Sequence, residues 1–180
     1  MENPWSTLSS RVVYRNPWLT LREDKVVRPD GKEGIYSVVE MRPSCGIVAI
    51  NENDQIALVG QWRYVHNKYS IEIPTGGSEQ GETPLDAAKR ELLEETGLTA
   101  EDWTAMGTVD NSNGVTTDVA YIFLARNLQS GPHGQQGDEQ VELLWMPFAE
   151  AVLSVMKGRI TESVSIAAIL KTEFLRRKRC

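Results

Sequence analysis

The stretch 76–98, GGSEQGETPLDAAKRELLEETGL, constrains the fold more than any other part of the chain. Its second half reads as a helix with both ends specified. Thr83 is a good N-cap, Pro84 fits the first helical position, and Asp86 completes a loose capping box. Gly97 supplies the left-handed residue that ends the helix. Leu85, Ala88 and Leu92 recur at helical spacing and predict a buried stripe. The stretch also carries Glu79, Glu82, Asp86, Glu91, Glu94 and Glu95 against two cations, Lys89 and Arg90. Glu91, Glu94 and Glu95 stand at i, i+3 and i+4, so the helix crowds all three onto one side. Crowding of this kind costs a bare helix roughly a few tenths of a kcal/mol per pair, so a counter-charge is expected. Several oxygen ligands in one patch suit Mg²⁺ or Mn²⁺. Arg90 reaches Glu94 at i+4 and holds part of the cluster. An ordinary salt-bridged surface helix would account for the caps and that pair, but not for the third carboxylate or for Glu82.

The spacing has a second meaning. Gly76, five residues, Glu82, seven residues, Arg90-Glu91-Leu92, one residue, Glu94-Glu95, one residue, Gly97-Leu98 resembles the Nudix box without a departure. The likeness extends through NPWLTLRED, GQWRY, IEIPTGG, YIFLARNL and DEQVELLWMP, in the order seen in ADP-ribose pyrophosphatases and related nucleoside diphosphate sugar hydrolases. It covers almost all of the chain after about residue 11.

This resemblance implies an α/β fold: a Nudix α/β/α sandwich around a mixed sheet, with a small N-terminal antiparallel sheet exchanged between the subunits of a homodimer. It implies hydrolysis of the pyrophosphate of a nucleoside diphosphate sugar, with Mg²⁺ or Mn²⁺. Glu91 and Glu95 are then the main metal ligands, Thr75 adds its carbonyl, Glu94 orients, and Arg90 organises the catalytic cluster. Arg63 resembles the arginine that contacts the pyrophosphate, and Glu72 the glutamate at the substrate. An aromatic of the N-terminal sheet, Trp18 or Tyr36, is placed against the nucleobase, although core packing explains either equally well. Glu139 is the expected general base, because carboxylates bound to metal are poor bases. Glu142 is its rival. One departure concerns specificity. Where ADP-ribose pyrophosphatases carry Ser-Pro-Gly, this chain has Ser112-Asn113-Gly114, which favours a broader or different nucleotide sugar such as GDP-mannose.

The rest of the chain bounds this reading. At 180 residues it accommodates one well-buried domain and a small appendage, with the boundary expected at the Arg42-Pro43-Ser44 hinge, giving 1–43 and 44–180. Three strands, at 11–15, 19–27 and 35–41, make a sheet too small to stand alone, and residues 1–10 read as a loose arm. The continuous apolar runs at 45–50 and 55–61 predict strands covered on both faces. Further strands are expected at 70–74, 103–109, 119–125 and 140–146, and a mobile glycine-rich loop at 129–138. A short helix follows at 148–157, then a Thr161-capped helix at 162–177. A net charge of −6 argues against a nucleic-acid surface and against RNA decapping. The basic tail from Arg176 is favoured by the helix dipole and reads as solvated. Cys45 and Cys180 lie far apart without metal-ligand spacing, and neither histidine, His66 or His133, has a ligand partner. With no signal peptide or membrane span legible, the expected compartment is the cytoplasm. A nucleoside triphosphate sanitiser usually lacks the N-terminal sheet. A silent Nudix-like binding module would have lost box glutamates, and none is lost here.

Overall fold

The computed structural model describes residues 2–131 and 141–178. The chain forms two compact units, Met1–Pro43 with Asp110–Val119, and Ser44–Val109 with Ala120–Cys180.

The smaller unit is an antiparallel sheet of β1 (Ser6–Arg15), β2 (Leu19–Val27) and β3 (Glu33–Met41), in that order. Asn16 and Gly31 make the two turns. The Asn16 side chain accepts from the amides of Trp18 and Leu19, both at 2.9 Å, and Gly31 adopts φ 79°. Strand β1 begins at Ser6 rather than at 11. Its first half, STLSS, holds a single apolar residue, Leu8, and is exposed throughout, so no hydrophobic alternation announces it; pairing of Ser6 with Val27 and Ser10 with Asp24 makes the strand. Residues 110–119 run along β3. The Val39 amide donates to the Val115 carbonyl at 2.8 Å, and the Thr117 amide to the Val39 carbonyl at 3.0 Å.

The larger unit contains β4 (Ser44–Ile50), β5 (Gln55–Arg63), β6 (Lys68–Glu72), β7 (Thr75–Gly77), α1 (Pro84–Thr96), β8 (Leu98–Asp110), β9 (Val119–Ser130), β10 (Glu142–Pro147), α2 (Phe148–Met156) and α3 (Ser163–Arg177). The strand order is β10-β5-β4-β9-β8, and because β4 and β9 run parallel the sheet is mixed. Alternation along β4 explains its continuous apolar run. Cys45, Ile47 and Ala49 pack with Ala87, Ala88 and Leu92 of α1, while Val48 and Ile50 pack with Phe148 of α2 and Val164, Ala168 and Ile169 of α3. The result is the expected α/β/α sandwich.

The sheet is forked, and the fork positions the site. Strands β4 and β5 pair only at Ala49–Ala57 and Ile50–Ile56. Beyond that, β4 takes β7 as its partner (Cys45 with Gly76, Gly46 with Thr75) and β5 takes β6 (Val59 with Glu72, Arg63 with Lys68). The segment from Lys68 to Gly77 thus fills the opening and leads directly into the helix carrying the carboxylates.

Several boundaries differ from expectation for local reasons. Glu162, not Thr161, caps α3, because its carboxylate accepts from the Val164 and Ser165 amides at 2.8 and 2.6 Å. Strand β8 starts at Leu98, directly after the helix stop, and β9 continues to Ser130. The remainder of the expected glycine-rich loop lies outside the described residues from 132 onward. No helix among the described residues is long and apolar enough to cross a membrane.

Candidate active site

Helix α1 is capped as its sequence dictates. Thr83 Oγ1 accepts from the Asp86 amide at 3.2 Å, Pro84 opens the first turn, and Gly97 closes the helix at φ 69°. The counter-charge for the acidic face is Arg90. Its guanidinium grips Glu82 through Nε and Nη2 at 3.1 and 3.0 Å. It also reaches Glu91 at 2.7 Å, Glu94 at 2.9 Å and the Gly77 carbonyl at 2.9 Å. One cation therefore ties the helix to the loop before it. Its hydrogen bonds hold the Glu82 carboxyl below its usual pKa, whereas burial pushes Glu91 above.

Glu91 lies in a slot that only glycine leaves open. A Cβ at Gly76 would stand 2.0 Å from its carboxyl carbon. Behind this slot, the Cys45 thiol donates to the Gly76 carbonyl at 3.6 Å, and burial raises its pKa to about 12, so it remains a neutral thiol. Glu95 accepts from the Thr75 amide at 2.9 Å. Among the described residues, no three His, Cys, Asp or Glu side chains converge on one point, since Arg90 engages Glu91 and Glu94 while Thr75 engages Glu95. The donors are nonetheless all carboxylate oxygens gathered on one helix face, a set that fits a hard divalent cation.

A second group stands on β5 and β6. Glu72, only 1% exposed, accepts from Arg63 Nε at 3.0 Å and from Arg63 Nη2, a bidentate pair. Burial alone would raise the Glu72 pKa, but hydrogen bonds from Arg63 and Ser70 and the nearby Arg63 and Lys68 charges outweigh it and leave the carboxyl below its usual value. Arg63, Glu72, Lys68, Ser70 and Glu162 line an open cavity of about 950 Å³. That volume lies within the range of small-molecule sites.

Known proteins resemble this chain along most of its length. Residues 40–165 fit the profile described as NUDIX domain. The chain belongs to the Nudix hydrolase family. Residues 5–39 fit a second profile, the nucleoside diphosphate sugar hydrolase N-terminal domain. An ADP-ribose pyrophosphatase of Mycobacterium tuberculosis is 32% identical over 94% of this chain and 83% of its own length. A methanol dehydrogenase activator of Bacillus methanolicus is 28% identical over 91% and 89%. A solved structure titled ADP compounds hydrolase superposes with a TM-score of 0.87 over 97% of this chain and 95% of its own, at 20% identity, which speaks to the Nudix fold alone.

The remaining expected residues of this Nudix hydrolase lie on other segments of the chain. Glu139 lies outside the described residues. Glu142 opens β10 as an exposed residue on the same sheet side as Leu144, which packs against the α2 and α3 core, whereas Leu143 packs into the α1 core. Its carboxylate accepts from the Tyr69 hydroxyl at 2.9 Å. Tyr69 reaches it across Gly60, where a Cβ would stand 1.8 Å from the phenol oxygen. In the smaller unit, Trp18 is 76% exposed. Tyr36 is engaged differently: its hydroxyl donates to the Gly114 carbonyl at 2.8 Å, and its ring packs edge-on against Trp5 at 5.4 Å. Asn113 lies in that same 110–119 segment.

Sequence reading missed Tyr69, Gly60, Lys68 and Ser70. A glycine inside an apolar strand was the one available signal, since such a residue marks the close approach of another group.

Proposed function

We propose that this Nudix hydrolase cleaves the pyrophosphate of a nucleoside diphosphate sugar of the ADP-ribose or GDP-mannose type, giving a nucleoside monophosphate and a sugar phosphate. The carrying observation is a complete carboxylate box, with Glu91 seated on Gly76, in the same unit as a cavity lined by the Arg63–Glu72 pair. The match of residues 5–39 to the nucleoside diphosphate sugar hydrolase N-terminal domain supports this substrate class.

Glu91 and Glu95, with Thr75 and an orienting Glu94, would hold Mg²⁺ or Mn²⁺. The bound cation supplies charge neutralisation for the diphosphate. Arg90 keeps the carboxylates on one face. Arg63, oriented by buried Glu72, donates to a phosphate oxygen. Glu139 accepts a proton from water as the water oxygen bonds to one phosphorus; the bridging oxygen departs with the other phosphoryl group. Trp18 offers an exposed face for the nucleobase, and Asn113 and Gly114 form the loop that discriminates among sugars.

The protein is further proposed to work in the cytoplasm as a homodimer with exchanged N-terminal sheets. Support for the dimer comes from the exposed Val12, Tyr14 and Ile35 of a three-stranded sheet. Sedimentation near twice 20.1 kDa is expected, and an active monomer would refute it.

The substrate reading is tested with a panel of ADP-ribose, GDP-mannose, other nucleotide sugars and nucleoside triphosphates in ¹⁸O-labelled water. Each is run with added Mg²⁺ or Mn²⁺ and with EDTA. Preference for a nucleotide sugar, with activity abolished by EDTA, supports it. Preference for triphosphates assigns the enzyme to pool sanitising instead.

A further inference from the structure

The cavity beside β5 and β6 holds two cations and two carboxylates, but only one cation is paired in contact with a carboxylate. Its charged side chains are Arg63, Lys68, Glu72 and Glu162, beside His66. Arg63 and Glu72 offset one another in a bidentate pair. Glu162 is committed to the start of α3: it accepts from the Val164 and Ser165 amides at 2.8 and 2.6 Å and from the Ser165 hydroxyl at 2.7 Å. Its negative charge is thereby stabilised by the positive end of the helix. Lys68 stands directly opposite Arg63, at the last rung of the β5–β6 pairing. Its ammonium donates to the Thr161 hydroxyl at 3.0 Å, and among the described residues it forms no salt bridge with a carboxylate. The long lysine chain is thus held over the cavity by a neutral partner, and its charge acts on Glu72 without a direct contact. An ammonium has three donors, and a hydroxyl uses one.

We propose that Lys68 is a substrate-binding residue of this cavity, donating to a phosphate oxygen of the bound diphosphate while Glu72 keeps Arg63 aligned. The proposal rests on reading the cavity as the substrate cleft. A compact ammonium on a flexible stem follows a phosphate oxygen as a point charge, whereas the Arg63 fork is already fixed in plane by Glu72. Such a residue binds ground state and transition state alike, so its loss acts on KM rather than kcat.

The test compares Lys68→Gln, Lys68→Arg and Thr161→Val with the parent, after circular dichroism and melting confirm folding. Binding of inorganic pyrophosphate to EDTA-treated protein is measured by calorimetry, and kcat and KM are measured on ADP-ribose and GDP-mannose. Lys68→Gln is expected to weaken pyrophosphate binding and raise KM about tenfold, with kcat within about twofold. Lys68→Arg should restore both to within about threefold, and Thr161→Val should give an intermediate loss as the ammonium loses its orientation. Unchanged pyrophosphate affinity and KM in Lys68→Gln would overturn the proposal, as would a loss of melting temperature alone. If the parent hydrolyses no nucleotide sugar while pyrophosphate affinity still falls in Lys68→Gln, the substrate reading fails and the Lys68 site stands. If the parent turns over nucleotide sugars normally and Lys68→Gln behaves like it, the Lys68 site fails and the substrate reading stands.

Discussion

The carboxylate of Glu91 occupies the space a side chain at Gly76 would need, with its Cδ 2.0 Å from the position of a Cβ there. What would clash is the far end of a flexible side chain, not backbone. Gly76→Ala should therefore displace the Glu91 carboxylate and leave the fold nearly intact. Activity is expected to fall about 10²-fold or more, since displacement of a positioned group by about 1 Å costs that much. The melting temperature should move by only a few degrees. Near-parental turnover would show that Glu91 does not need this slot, and a large loss of stability would show that more than the Glu91 side chain has to move.

Glu72 makes folding sensitive to acid. Its folded pKa is depressed, so its contribution to stability is fully present above the unfolded carboxyl value of about 4.3 and is lost as pH falls through the folded value. Thermal melts of the parent and Glu72→Gln between pH 3 and 7 check this. The parent should be the more stable at pH 7, and the two should converge at the acid end. A gap that stays constant with pH would mean that shape, not charge, stabilises the Arg63 pair.

The proton acceptor can be assigned by paired variants. Glu139→Gln is expected to lower kcat about 10²–10⁴-fold with KM little changed. Glu142→Gln should have a much smaller effect, because Glu142 shares the sheet side of Leu144 and already accepts from Tyr69. If Glu142→Gln proved inactive while Glu139→Gln stayed within a few-fold of the parent, the base would be Glu142.

Trp18 and Tyr36 should separate in a KM and stability comparison. With Trp18 76% exposed, Trp18→Ala should raise KM several-fold while scarcely changing melting. Tyr36 donates to Gly114 and packs on Trp5, so Tyr36→Ala should cost about 1–2 kcal/mol of stability. An unchanged KM in Trp18→Ala would remove it from the nucleobase site.

The local features of this protein were legible in its sequence because they depend on neighbours within one or two helical turns. Thr83, Pro84 and Gly97 delimit α1, and the spacing of Glu91, Glu94 and Glu95 puts them on one side whatever surrounds the helix. The continuous apolar run of β4 likewise required a layer on each face. Partners distant along the chain were decided only by tertiary structure. Burial of Glu72 made Arg63 its partner rather than leaving the arginine solvated, because a carboxylate removed from water needs a charged donor. The polar start of β1 carries no hydrophobic pattern, and its backbone became a strand only because β2 offered an unpaired edge. Residues 110–119 met β3 through backbone amides and carbonyls, groups every residue shares and no side-chain pattern reveals. Gly60 reads in sequence as a weak point in a strand. Folding makes it the passage through which Tyr69 reaches Glu142.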